Sequence, residues 1–198
     1  TEPLPELPAK RMAKPLRLIV LSRLAPNKRV SEVVRVLALL NDAGCPAELT
    51  VIGSGWERDL LGRLAGSLGQ ADAVTFKEHL DDDEKNVELQ KAHLLLHTSV
   101  REGWGLNVIE ANAMGTPAVV YPVGGLVDST VDGVTGLISA EETPESLAGE
   151  VLRLAGDPEL YEGLREAAWC RSFEFRWKQV LRPTCDWLEK LAQNEDVL

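Results

Sequence analysis

Cysteine is scarce and scattered: Cys45, Cys170 and Cys185 are the whole complement of 198 residues, with no Cys-x-x-Cys spacing. Such an odd, dispersed set argues against a disulfide framework or a cysteine-built metal site. It reads as reduced, mostly buried thiols of a cytoplasmic protein. Long apolar runs are missing as well. No stretch approaches the ~18 residues of a membrane-spanning helix. The segment 1–15 carries Pro3, Pro5, Pro8 and Pro15 among mixed charges rather than an apolar signal core, so it reads as a linker or tail that follows another domain. Cations are outnumbered, 21 Lys and Arg against 31 Asp and Glu, for a net charge of −10. That balance disfavours nucleic acid or an anionic membrane as a main partner. A small anion is still admissible, because a few local cations and helix ends hold one against the global field.

What is present is alternation. Apolar strand-like runs at 17–22, 48–52, 73–76, 94–97, 116–121 and 136–139 are interleaved with helical periodicities at 30–41, 57–68, 83–91 and 106–114. Three further helices are expected at 144–155, 158–169 and 175–192. Repeated β-α-β units predict an α/β fold, a Rossmann-like parallel sheet with helices on both faces and right-handed crossovers. The domain is expected over 16–194, with 1–15 as linker and 195–198 as tail. Ligands of such sheets bind beyond the carboxyl ends of the strands. The loops 22–29, 53–56 and 99–106 therefore hold the candidate site.

The first loop, Ser22-Arg23-Leu24-Ala25-Pro26-Asn27-Lys28-Arg29, concentrates cations in an acidic chain. An Arg fork and a Lys point charge together match a pyrophosphate, although a solvated loop explains this segment alone equally well. In the second, Gly53-Ser54-Gly55 follows the second strand, with Arg58 where a dinucleotide fingerprint has its third glycine. It is a weak dinucleotide motif and a plausible tight turn for close backbone approach. The third is Glu102-Gly103-Trp104-Gly105-Leu106-Asn107-Val108-Ile109-Glu110. Its glycines present the amides of Leu106, Asn107 and Val108 at a helix N-terminus, a ready anion site. Its two carboxylates, Glu102 and Glu110, suit vicinal hydroxyls, so cations and amides on phosphate with acids on diols describe a sugar nucleotide.

Three other patterns carry less. Asp81-Asp82-Asp83 imitates a metal-binding D-x-D but stands just before a helix, where acids complement the macrodipole. His93 and His97 are four residues apart on a strand, a span of about 13 Å, too far for two ligands of one ion. No G-x-S-x-G nucleophile elbow is present.

Taken in order, four blocks resemble the C-terminal domain of glycosyltransferase family 4, which has the GT-B fold. They are Ser22-Arg23-Leu24 with Lys28, Val51 to Gly55, Ser99 with the Glu102/Glu110 pair, and Gly115-Thr116-Pro117 through Gly124-Gly125 to Gly133 and Gly136. Phe175 and Trp177 resemble that family's closing segment. The chain departs from the pattern at His79, where the family has glycine in a loop near the base, and at Trp104 and Asp128, where phenylalanine and glutamate are usual. The resemblance implies retaining transfer of a sugar from a nucleoside diphosphate sugar, with no cofactor and no metal. It makes Arg23, Lys28 and Glu102 the catalytic residues, the cations stabilising the leaving diphosphate. The donor contacts it implies are Ser22, Gly53, Gly55, Ser99, Gly103, Trp104, Gly105, Leu106, Asn107, Val108 and Glu110, with Glu110 on the ribose and Glu102 on the hexose. It also implies an N-terminal acceptor-binding domain of the same enzyme, which would carry any membrane contact. Two rivals stand beside it: a non-catalytic sugar-nucleotide-binding module, and a GT-B epimerase or phosphorylase-like domain, against which the Glu-x7-Glu loop speaks.

Overall fold

The computed structural model describes residues 1–78 and 80–193; His79 and the 195–198 tail lie outside the described residues. Strands β1 (Leu16–Leu21), β2 (Ala47–Ile52), β3 (Val74–Lys77), β4 (Leu94–His97), β5 (Ala118–Val120) and β6 (Gly136–Ile138) form one sheet in the order β3-β2-β1-β4-β5-β6. Every pairing is parallel. Between and after them run α1 (Val30–Asp42), α2 (Arg58–Ser67), α3 (Asp82–Lys91), α4 (Leu106–Ala113), α5 (Leu126–Ser129), α6 (Pro144–Gly156), α7 (Pro158–Ser172) and α8 (Trp177–Gln193).

The apolar runs explain the sheet. Leu18, Ile19 and Val20 of β1 and Leu94, Leu95 and Leu96 of β4 are buried on consecutive positions, as strands covered on both faces must be. The periodicity explains the cover: α1 buries Val30, Val33, Val34, Leu37 and Leu40 and packs on α2 and α6, while α4 packs on α3, α5 and α7. With right-handed crossovers, growth from β1 toward β3 and from β4 toward β6 puts these helices on opposite faces. The order reverses between β1 and β4, so the loops after those two strands diverge and leave a crevice. The β1–β2 register, Leu16↔Ala47 through Leu21↔Ile52, brings loops 22–29 and 53–57 out side by side.

Differences from the sequence reading are local. β5 covers three residues rather than six, since the Thr116 amide bonds back to Ala111 O at 2.9 Å instead of joining the ladder. α5 and the 3₁₀ turns Pro26–Lys28, Ala71–Ala73 and Phe173–Phe175 are additional elements, too short to show a period in the sequence. The cysteine reading is corrected: only Cys45 is buried, while Cys170 on α7 and Cys185 on α8 are exposed on helix faces turned from the core.

Residues 1–13 form no helix or strand, yet they are tied to the domain. Leu4 N–H donates to Ala113 O at 3.0 Å, Trp169 Nε1 donates to Leu4 O at 3.0 Å, and Arg165 Nη2 donates to Pro8 O at 2.7 Å. Lys10 Nζ donates to Gln90 O, Ala92 O and Thr116 Oγ1 at 2.7–3.0 Å, at the amino ends of the strands. At the other terminus α8 rests on the Phe173–Phe175 turn and leaves Trp177, Leu181, Trp187 and Leu188 exposed. Among the described residues no helix is long and apolar enough to cross a membrane.

Candidate functional site

The site is built first from backbone. Past β1 the chain keeps pairing with the continuation of β2: Ser22 N–H donates to Ile52 O at 3.1 Å and Leu24 N–H to Ser54 O at 2.9 Å. A Cβ on Gly53 would stand 1.9 Å from Ser22 O, and one on Gly55 2.2 Å from Leu24 O. The close approach that these glycines permit is therefore made by the protein's own chain, and it sets the path of residues 22–24. Lys28 ends the Pro26–Lys28 turn, and Arg29 follows at φ 48. The third cation of this loop is a staple. Arg29 Nε donates to Thr98 O at 2.8 Å and Nη2 to Ser99 O at 3.0 Å and to Glu142 Oε2 at 2.6 Å.

The loop after β4 is fixed from the other side. Gly105 caps α4 at φ 82, where a Cβ would meet Ser129 Oγ at 2.7 Å; Gly125, at φ 80, lies under Glu102, whose carbonyl a Cβ would approach to 2.4 Å. Asn107 Nδ2 donates to Leu21 O at 2.8 Å and so ties α4 to the end of β1. Val108 N–H donates to Gly105 O at 2.9 Å, which leaves the amides of Leu106 and Asn107 as those at the start of α4 without an intrahelical acceptor.

These elements surround an open cavity of about 720 Å³ lined by Ser22, Arg23, Lys28, Glu102, Gly103, Trp104, Gly105, Leu106 and Asn107. Lys28 Nζ and Glu102 Oε1 form an ion pair within it. Ser99 Oγ donates to the same oxygen at 2.8 Å from behind, and His97 Nε2 lies 3.4 Å from it. Burial pushes the Glu102 carboxyl up, but the bonds from Lys28 and Ser99 and the nearby charges outweigh it and hold the pKa below the ordinary glutamate value. Arg23 is exposed and, among the described residues, no side chain or carbonyl bonds its guanidinium. Trp104 is 36% exposed, its ring 5.8 Å from that of Phe175.

The structure thus brings together nine of the sequence-predicted residues and sets others apart. Ser99 and Val108 are buried behind the wall. Gly53 and Gly55 act through residues 22–24. Glu110 lies off the cavity on α4, with Oε1 held 3.0 Å from Lys85 Nζ. Lys85 also bonds Asp82 at 2.8 Å; burial opposes its charge, but the two carboxylates raise its pKa. Neither Lys85 nor His97 is legible as a site residue in sequence, because their partners stand 25 residues away or on the far side of a turn. Arg29, read there as a cation of the site loop, is instead the staple to Thr98, Ser99 and Glu142. Asp81 is an N-cap: its Oδ1 accepts from Glu84 N–H at 2.8 Å while Glu84 Oε2 accepts from Asp81 N–H at 3.1 Å. His93 Nδ1 accepts from Arg17 N–H at 3.0 Å at the opposite end of β4 from His97. Among the described residues no group of three His, Cys, Asp or Glu is placed to hold a metal ion.

A doubly wound parallel sheet with a polar crevice at its reversal point defines a Rossmann-like α/β domain. The model of the family "Glycosyl transferases group 1" matches residues 8–169, and the chain belongs to that family. It is 32% identical over 173 residues to a D-inositol 3-phosphate glycosyltransferase of Streptomyces griseus, covering 83% of this chain and 37% of that protein. It is 31% identical over 171 residues to a glycogen synthase of Mycobacterium tuberculosis, covering 86% and 41%. The chain thus spans less than half the length of these curated relatives. Among solved structures it resembles a sucrose-phosphate synthase from Thermosynechococcus elongatus, with TM-score 0.83, 24% identity and coverage of 94% and 47%. It also resembles Anabaena HepE in complex with UDP and glucose, with TM-score 0.78, 22% identity and coverage of 88% and 48%. The fold is that of the C-terminal half of GT-B glycosyltransferases, and the chain is a glycosyltransferase domain.

Proposed function

We propose that this domain binds a nucleoside diphosphate sugar as donor for retaining glycosyl transfer, and that the acceptor is held by a separate N-terminal domain across a cleft. The observation that carries the reading is the convergence of Arg23, Lys28, Glu102 and the first amides of α4 on one crevice at the β1/β4 reversal. Arg23 and Lys28 meet the diphosphate, helped by the Leu106 and Asn107 amides and the positive end of α4. As the glycosidic bond breaks, negative charge grows on the departing diphosphate, and preorganised cations stabilise that change more than the ground state. Glu102 accepts from hydroxyls of the hexose, and Glu110, steadied by Lys85, from the ribose diol. The wall residues Ser99 and Val108 and the glycine-shaped turn at Gly53 and Gly55 support these contacts from behind. Binding needs no divalent metal, because cations and amides already neutralise the diphosphate.

Without the acceptor half, this chain binds donor and does not transfer sugar, since closure supplies water exclusion and alignment. A thermal-shift series of UDP, GDP and ADP with their sugars, repeated with EDTA, tests the reading; UDP comes first because HepE was solved with it. Stabilisation by one diphosphate series, unchanged by EDTA, is expected. No shift with any of them would refute donor binding, and a tenfold loss of affinity on chelation would refute metal independence.

A further inference from the structure

His97 lies beside the site, and the donor assignment gives it no task. It ends β4, is 4% exposed, and lies behind Glu102. Its Nδ1 accepts from Ser99 N–H at 3.4 Å. An imidazole nitrogen that accepts carries no proton, so the proton of the neutral ring resides on Nε2. Burial holds the ring pKa down to about 4, against the pull of Glu102, so the ring is neutral at pH 7. That Nε2–H is then a buried donor with no well-formed hydrogen bond among the described residues, and its polar neighbours are the Asn107 side chain and the Glu102 carboxylate. Glu102 Oε1 stands 3.4 Å away, already engaged by Lys28 and Ser99. A buried donor left unmade is costly, and of its two polar neighbours the Glu102 carboxylate, being ionised, is the stronger acceptor.

We propose that His97 is a positioning residue that receives Glu102 when Lys28 leaves it for the anionic ligand. This rests on the donor reading above. A diphosphate in the crevice draws the Lys28 ammonium off Glu102. The carboxylate keeps its Ser99 bond and settles onto His97 Nε2–H, a neutral donor that replaces the departed cation. Glu102 is thereby kept ionised and aimed at the sugar hydroxyls at the moment when its ion pair opens. Only a donor at the Nε2 position does this; ring bulk alone does not.

The test uses this chain, ¹⁵N-labelled at its three histidines, with His97→Phe and His97→Gln as variants. Phenylalanine keeps the bulk without the donor, and glutamine carries an N–H near Nε2. In the unaltered chain at pH 7, long-range ¹H–¹⁵N spectra are expected to show His97 protonated at Nε2 and not at Nδ1. UDP-glucose, or whichever diphosphate sugar binds, is expected to shift Nε2 and its proton strongly downfield. His97→Phe is expected to leave affinity for the plain diphosphate within twofold, to remove most of the extra affinity given by the attached sugar, and to raise the Glu102 titration midpoint in the ligand-bound chain. His97→Gln is expected to restore both to within about twofold. A proton on Nδ1, or a glutamine variant no better than phenylalanine, or a phenylalanine variant equal to the unaltered chain, overturns the assignment. If no nucleoside diphosphate binds the unaltered chain, the donor reading falls on its own. The tautomer, measured without ligand, still tests the His97 assignment on its own, because a proton on Nδ1 overturns it whether or not a ligand binds.

Discussion

The Lys28–Glu102 pair makes a prediction that the residue types alone do not. The two side chains are 13% and 17% exposed, so their ion pair is largely shielded. A diphosphate that recruits Lys28 gains charge-assisted bonds of roughly 1.5–3 kcal/mol. It must first give up the bond that Lys28 already makes, about 1 kcal/mol at the upper end for surface pairs. Glu102→Gln removes the competitor. It is expected to tighten the plain nucleoside diphosphate by about 0.5–1 kcal/mol, roughly two- to fivefold, while abolishing the additional affinity given by the attached sugar. Lys28→Ala is expected to weaken the diphosphate by about 1–2 kcal/mol and to leave the free nucleoside unaffected. In the double variant the two effects fall short of additivity by about 0.5–1 kcal/mol, the coupling expected of residues in contact. Isothermal titration of the four proteins against nucleoside, diphosphate and diphosphate sugar gives the whole pattern. A Glu102→Gln variant that binds plain diphosphate more weakly than the unaltered chain would refute the competition. Identical ligand profiles for Glu102→Gln and Lys28→Ala would refute the division of labour.

Further predictions concern the surrounding frame. Glu110→Gln is expected to weaken a ribonucleoside diphosphate by about 1 kcal/mol and its 2′-deoxy counterpart by less than half of that, with Lys85→Met acting in the same direction more weakly; equal losses for both ligands would remove Glu110 from the ribose. Gly53→Ala is expected to destabilise the chain by more than about 2 kcal/mol in urea, because the added Cβ meets Ser22 O at 1.9 Å, whereas at Gly103 nothing lies within 4 Å and Ala is tolerated within about 0.5 kcal/mol. Burial holds His93 and His97 at about 4, below the ordinary histidine value, so the unfolded chain takes up their protons first on acidification. Stability is therefore expected to fall as the pH drops from about 6.5 toward 4, by up to roughly 3 kcal/mol per histidine, and a Phe substitution at either position should flatten the urea-midpoint profile across that window. An unchanged slope would show that these rings are accessible to protons in the folded chain.

The parts of this molecule legible in sequence are those governed by short-range rules. The runs around Leu18 and Leu95 and the period of Val30, Val33, Val34 and Leu37 dictate buried strands and an amphipathic cover, and the parallel order follows from alternation. The crevice was foreseeable too, because loops 22–29 and 99–106 follow the two strands on either side of the reversal. Pairings across the chain were not. Nothing in the sequence places Lys85 on Glu110, 25 residues away, or Lys28 on Glu102, 74 residues away. Loop 53–55 shows a related limit: its glycines mark a close backbone approach, and only the fold reveals that the approaching backbone is that of Ser22 and Leu24. His97 reads in sequence as half of an H-x3-H spacing, and its relation to Glu102 depends on the turn after β4.

Residue-resolved titration of the ¹⁵N-labelled chain with a nucleoside diphosphate sugar tests the central claim most directly. If the crevice between β1 and β4 is the donor site, the largest saturable amide shifts fall at Ser22, Lys28, Glu102, Leu106 and Asn107. They are then diminished by Lys28→Ala without loss of the remaining spectrum. Saturable shifts centred instead on a second cavity, lined by Lys10, Met12, Pro158 and Tyr161, with the α4 amides unmoved, would contradict the account.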